Sequence, residues 1–278
     1  MDRTVLLSLD LNSIEVPDDG SSDYRRAASA RAGIAQAFFD GLEDRMCDFV
    51  RAHDLVVGCM AWFTSFPVLD AMAGRRAAIV VQKEDFLRPD GPIDPKDPNR
   101  RAWRVRLREA YSRLRAGPDR LYYPNLASSL SVCSDPNIDA VRCVGVRNAG
   151  HGTPRMHHKF LVGCHVERWE ELIPAMPATR AVEDLPLGTR TNPWALKILG
   201  AVSTPEYTEV GMAIEPTAVW TGSFNASGTA ARSLENAVVL RDPTIARAYF
   251  DEFAHVLALS EPLDWSSEYV APEWRIGT

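Results

Sequence analysis

Two uninterrupted apolar runs constrain this chain more than any other feature: Leu55-Val56-Val57-Gly58-Cys59-Met60-Ala61-Trp62-Phe63 and Ala77-Ala78-Ile79-Val80-Val81. Strands with one wet face alternate in polarity, whereas strands covered on both faces do not. Both runs therefore read as buried strands. The short helical stretch Val68–Ala73 between them completes a strand–helix–strand unit, the mark of an α/β layer. With 278 residues, 46% of them hydrophobic, the chain has enough apolar surface to cover such a layer on both sides.

The other elements follow from periodicity. From Tyr24 to Ala52, residues Ile34, Ala35, Phe38, Phe39, Leu42, Met46, Phe49 and Val50 fall on one broad helical face. Arg100–Arg115 predicts a helix with Trp103, Leu107, Ala110 and Leu114 on one side and arginines on another. Ile138–Val146, Met156–Cys164, Val219–Thr221 and Glu235–Leu240 read as strands, and Pro243–Leu259 as a helix. Residues 12–23, 85–99 and 147–152 read as loops and turns. Residues 165–217 read as an irregular insertion with one short helix at 194–200. The expected class is α/β: an α/β/α sandwich with a central mixed sheet, one domain over 1–278, with insertions at 85–125 and 165–217.

The net charge of −6 argues against a general polyanion binder, so any nucleic-acid contact must be local. The five cysteines are widely spaced and show no Cys-X-X-Cys pair, which fits reduced thiols in a cytoplasmic protein. Val5-Leu6-Leu7 is too short for a signal h-region. No apolar run approaches the ~20 residues of a membrane span. A soluble protein without stable membrane association is the expectation.

Two segments carry chemistry: Met156-His157-His158-Lys159-Phe160-Leu161-Val162 and Thr221-Gly222-Ser223-Phe224-Asn225. Side chains alternate along a strand, so His157 shares a face with Lys159 while His158 points away. An imidazole can attack phosphorus and leave again, because its pKa sits near the working pH. Lys159 supplies a fixed cation for the non-bridging oxygens. The Gly222-Ser223 turn offers a backbone N–H and a hydroxyl, and Asn225 an amide donor. Glu235 can hold the tautomer of His157. Arg100–Arg115 holds seven arginines against one glutamate. It is either a solvated face or a phosphate-tracking patch in which Arg100, Arg104 and Arg108 bind substrate. His151, His157, His158, Cys164 and His165 do not have the spacing of a zinc site, so neither a metal nor a cofactor is expected.

His157-His158-Lys159-Phe160-Leu161-Val162, then Val219-Trp220-Thr221-Gly222-Ser223-Phe224-Asn225-Ala226-Ser227 and Ser233-Leu234-Glu235-Asn236, resemble the phospholipase D superfamily. The likeness is to its short bacterial endonucleases, which carry one such motif per chain. The resemblance implies a phosphohistidine on His157, Lys159 and Asn225 as the phosphate clamp, Ser223 supporting it and Glu235 orienting the histidine. It implies a homodimer with the active site at the interface, and metal-independent cleavage of DNA or RNA. Phospholipase D or phosphatidyl transferase activity on phospholipid, and an inactive nucleic-acid-binding module, are the alternatives. The family pattern His-X-Lys-X4-Asp places aspartate at 164, where this chain has Cys164. A long gap also separates Lys159 from Gly222.

Overall fold

The computed structural model describes residues 9–13, 28–91, 99–116, 139–147, 154–173, 175–179, 181–185, 187, 190–191, 195–196, 199–203 and 206–271. The chain divides into two compact units, 1–166 with 214–278, and 167–213.

The first unit is built on a large mixed sheet. Its strands are β1 (Ala30–Ala32), β2 (Ala35–Phe38), β3 (Leu55–Met60), β4 (Arg76–Gln82), β5 (Arg115–Ala116), β6 (Val141–Val144), β7 (Lys159–Ile173), β8 (Tyr207–Gly222) and β9 (Ala237–Leu240). The far ends of β7 and β8 belong to the second unit. The order across the sheet is β1-β2-β9-β8-β7-β3-β4-β5. β3 and β4 are parallel, and β7 runs antiparallel to β3 with Lys159 opposite Met60. β5 and β6 both pair parallel with β4, at its beginning and its end.

Four helices flank this sheet among the described residues: α1 (Leu42–Arg51), α2 (Phe66–Met72), α3 (Arg100–Ser112) and α4 (Pro243–Ala258). The alternation of β3 sorts the core into two layers. Val56 and Met60 join Met46, Leu69, Leu107 and Leu161 on the α1–α3 side. Leu55, Val57 and Cys59 join Phe160, Val162, Phe250 and Phe253 on the α4 side. The α/β/α layering expected from the apolar runs is what the core shows. Local chemistry sets the helix starts. Ser65 accepts from the Val68 N–H at the head of α2, and Asp242 from the Ile245 N–H at the head of α4, each with proline in the first turn. Just after β4, Lys83 is fully buried and donates to Glu261 Oε1 (2.5 Å), Ser267 O (3.0 Å) and Tyr269 O (2.8 Å). All three ammonium donors are used, and they strap residues 261–269 to the end of β4.

The structure corrects several expectations. The helix expected over Tyr24–Ala52 begins only at Leu42. Residues 30–38 form β1 and β2, which close on each other across Gly33 (φ +55°) and extend the sheet through β9. Gly41, also at positive φ (+56°), ends the extended stretch. Ile34, expected on the inner helical face, is 47% exposed. Free strand edge on β9 outweighed helical periodicity, as tertiary pairing does. The second correction concerns β7, which starts at Lys159 rather than Met156 and runs on to Ile173. The stretch from 165 to 217, expected to be irregular, is strand at both ends, since β8 begins at Tyr207.

The second unit holds a short 3-10 turn at Val182–Asp184. Arg190 folds back to donate to Leu185 O (2.8 Å) and Glu183 O (2.6 Å), and the Thr179 N–H donates to Gly200 O (2.9 Å). Of the short helix expected at 194–200, residues 195–196 are helical and the Leu199 N–H donates to Ala195 O (2.9 Å), while 194, 197 and 198 lie outside the described residues, as do 92–98 and 148–153 of the expected loops.

Candidate active site

β7 and β8 bring the two motifs together although they lie far apart in the chain. The Thr221 hydroxyl donates to Lys159 O (3.3 Å) across 62 residues of sequence. The Ser223-Phe224-Asn225 turn is held from two sides. The Thr64 and Ser65 N–H groups, just after β3, both donate to Ala226 O (2.6 and 2.7 Å), and the Trp62 N–H donates to Asn225 Oδ1 (3.3 Å). On the other flank the Ser223 N–H donates to Asn236 O (3.1 Å). Gly222 pairs with Ala237, and a Cβ there would lie 2.3 Å from Asn236 O. Only glycine allows β8 and β9 to approach this closely at the turn.

At the mouth, His157 is exposed and sits just before β7. Lys159 Nζ lies 3.3 Å from its Nδ1, 3.2 Å from its Nε2 and 3.0 Å from its backbone oxygen, so the ammonium rests over the ring. Burial lowers the His157 pKa, and the charges of Lys159 and Arg155 lower it further. The imidazole is therefore held neutral at physiological pH, the form with a lone pair to give. Lys159 is itself lowered by burial, with the charge of Glu235 opposing. His158 lies on the other face. Its Nε2 meets Glu252 Oε1 of α4 at 3.1 Å, and its ring packs edge-on against Phe160.

The remaining expected residues fall into place unevenly. Asn225 is buried, with Oδ1 committed to Trp62, which turns its amide nitrogen into the donor end. Ser223 does not present its hydroxyl outward. That group donates to Glu235 Oε2 and accepts from the Asn236 N–H (3.0 Å) and Nδ2 (3.3 Å). Ser223 thus ties Glu235 to the turn, and Glu235 places its charge near Lys159. In the arginine helix, Arg100 is exposed. Arg104 is not available to a substrate: it is 3% exposed and donates to Arg88 O (3.0 Å) and Gly91 O (3.2 Å). A basic residue on the inner face of a helix was spent on the backbone of a loop. Arg108 is half-buried, and its Nη1 has no hydrogen-bond partner among the described residues.

Cys164 explains itself. It faces the α4 layer, fully buried beside Leu55 and Val162, and burial pushes its thiol pKa up. It stands five positions along β7 from Lys159, about 16 Å away at strand rise. A carboxylate at that place would be buried among apolar groups, and it would not reach His157.

Three further residues gather around His157: Trp62, Glu84 and Arg155. The Trp62 ring meets His157 edge-on at 6.0 Å between centroids. Glu84 accepts from the Trp62 side chain and pairs with Arg155 at 2.6 Å. Desolvation raises the Glu84 pKa, with Arg155 and the Trp62 hydrogen bond opposing. An i, i+2 repeat of Arg155, His157 and Lys159 was the available clue. Among the described residues, no group of three His, Cys, Asp or Glu side chains could hold a metal ion. No helix among them is long and apolar enough to cross a membrane.

No protein-family model matches the chain. It is 24% identical over 280 residues to an uncharacterized protein of Acanthamoeba polyphaga mimivirus, covering 93% of this chain and 75% of that one. In structure it is similar to Nuc from Salmonella typhimurium, a phospholipase D family member. The TM-score is 0.39 at 11% identity, over 82% of this chain and 95% of that one. It is also similar to NucT from Helicobacter pylori, with a TM-score of 0.41 at 10% identity, over 81% and 96%.

Proposed function

We propose that this protein is a metal-independent phosphodiesterase of the phospholipase D type, a nuclease that cuts DNA or RNA through a phosphohistidine on His157. The observation that carries this reading is the Lys159 ammonium resting 3.2–3.3 Å from both ring nitrogens of an exposed His157. Burial lowers the His157 pKa and the Lys159 charge lowers it further, which supports a neutral nucleophile with a fixed cation beside it for the phosphate oxygens. In the first step His157 attacks phosphorus in line, forming an N–P bond as the P–O bond to the leaving group breaks. A second imidazole protonates the leaving oxygen. In the second step that imidazole takes a proton from water, whose oxygen displaces His157. Lys159 and the Asn225 amide hold the charge on the non-bridging oxygens. One chain supplies one such histidine, so the reading includes a homodimer in which the partner's copy is the acid and base.

The test incubates the protein with labelled single-stranded DNA, double-stranded DNA, RNA and phosphatidylcholine, with and without EDTA. Cleavage of nucleic acid that EDTA leaves intact is expected. Head-group release without nucleic-acid cleavage would replace the substrate with phospholipid. Nucleic-acid binding without cleavage would make the site inert.

A further inference from the structure

Arg155 precedes His157 by two positions, the same step that leads on to Lys159. The residues between turn the other way: Met156 packs with the α4 layer that holds Phe160 and Val162, and His158 bonds Glu252 of α4. These contacts leave Arg155, His157 and Lys159 on one side of the segment that leads into β7, where the Lys159 ammonium meets the His157 ring. The charge of Arg155 reaches the imidazole, where it is one of the groups that lower the His157 pKa.

Arg155 Nη1 donates to Glu84 Oε1 at 2.6 Å. The guanidinium side chain is 35% exposed and the carboxylate beneath it 19%, so the cation lies outward over its counter-ion. Glu84 also accepts a hydrogen bond from the Trp62 side chain. The displacement at His157 uses neither Arg155 nor Glu84, yet a planar fork of donors that matches phosphate stands one step from the nucleophile. An outward cation with a fixed carboxylate behind it can exchange that carboxylate for an incoming phosphate.

We propose that Arg155 takes the phosphate next to the one being cleaved and that Glu84 competes for it, so that the site selects a polynucleotide strand over an isolated phosphodiester. This rests on the nuclease reading of His157 and extends it to substrate class. The two partners then act with opposite sign. Removing the guanidinium weakens strand binding, and neutralising the carboxylate strengthens it. An ion pair that only braces the fold would weaken binding from either side.

The experiment measures binding to the His157→Asn protein, which holds strands without turning them over. The ligands are a fluorescent single-stranded oligonucleotide, a dinucleotide with one internal phosphate and a trinucleotide with two. Arg155→Ala is expected to weaken oligonucleotide binding five- to tenfold. It should also flatten the slope of log K against log salt by about 0.7, the share of one phosphate contact on a single strand. Glu84→Gln is expected to tighten binding several-fold. The unsubstituted site should prefer the trinucleotide, and Arg155→Ala should erase that preference. Arg155→Gln replaces the alanine variant if circular dichroism shows a fold defect. An unchanged salt slope, loss of affinity in both the Arg155 and Glu84 variants, or no trinucleotide preference would overturn the proposal. Since these readouts are of binding, absence of cleavage by the native protein would sink the nuclease reading separately.

Discussion

Gly222→Ala perturbs the site through geometry alone. A Cβ at position 222 would stand 2.3 Å from Asn236 O and 2.8 Å from Ala237 Cα, both backbone atoms that no rotamer change can move. Relief needs about 1 Å of separation between β8 and β9, judged against ordinary carbon contacts of about 3.5 Å. That separation falls on the Ser223 N–H to Asn236 O bond (3.1 Å) and the Asn236 N–H to Ser223 Oγ bond (3.0 Å), which fix Glu235 and the Asn225 turn. Overpacking of this kind costs about 1–3 kcal/mol, or a fall in Tm of roughly 2–10 °C in a chain of this size. A misplacement of about 1 Å in a catalytic group costs about 100-fold in rate. Single-turnover cleavage of a labelled oligonucleotide, read beside thermal unfolding, measures both. Gly74→Ala is the control: Gly74 sits at φ +73° and a Cβ added there would meet nothing within 4 Å, so the substitution brings backbone strain but lies outside the site. Its Tm should fall while its rate stays put. A folded Gly222→Ala protein cutting within threefold of the native rate, or a Gly74→Ala protein losing as much as Gly222→Ala, would refute the reasoning.

His157→Ala should abolish cleavage, while His158→Ala, which gives up a surface contact to Glu252 worth under about 1 kcal/mol, should cut normally; the reverse ranking in a cleavage assay would put the nucleophile on the wrong face. His53 packs against Phe49 and its pKa is lowered by burial from the ordinary 6.5. As pH falls below about 6.5 the unfolded chain therefore binds a proton that the fold resists, so stability declines until the folded-state pKa is passed. His53→Gln should flatten that decline in urea melts taken across the range, and an unchanged profile would deny it. Lys83→Met strands the Glu261 carboxylate in the core and should cost about 3–5 kcal/mol. It should appear as a lower urea midpoint at unchanged slope, with Lys83→Met/Glu261→Leu recovering part of the loss; an unmoved midpoint would mean the strap carries no stability.

The parts of the fold that could be read in advance are those in which local pattern and tertiary demand agree. β3 and β4 are apolar on both faces because helices cover both. α4 begins where Asp242-Pro243 caps it. The sharing of a face by His157 and Lys159 follows from strand alternation, and the structure keeps it although regular pairing starts only at Lys159. What could not be read depended on partners distant in sequence. Residues 30–38 have helical spacing, but the edge of β9 claims them as strand. Arg104 sits in an arginine-rich run that looks solvated, and only the arrival of Arg88 O and Gly91 O turns it inward. The Ser223 hydroxyl has the look of a ligand until Glu235 and Asn236 occupy it. Trp62 and Glu84 belong to a strand end and the loop after the next strand. Nothing local ties them to His157; the pairing of β3 with β7 on one side and β4 on the other does.

The most direct test is of covalent chemistry at one ring. The protein is mixed with an oligonucleotide, quenched in alkali within milliseconds to preserve a phosphorus–nitrogen bond, digested, and its peptides sequenced by mass spectrometry. A nucleotidyl adduct on His157, present in His158→Ala and missing in His157→Ala, is the predicted result. Cleavage that proceeds with the adduct on another residue, or with none at any time point, would contradict the account.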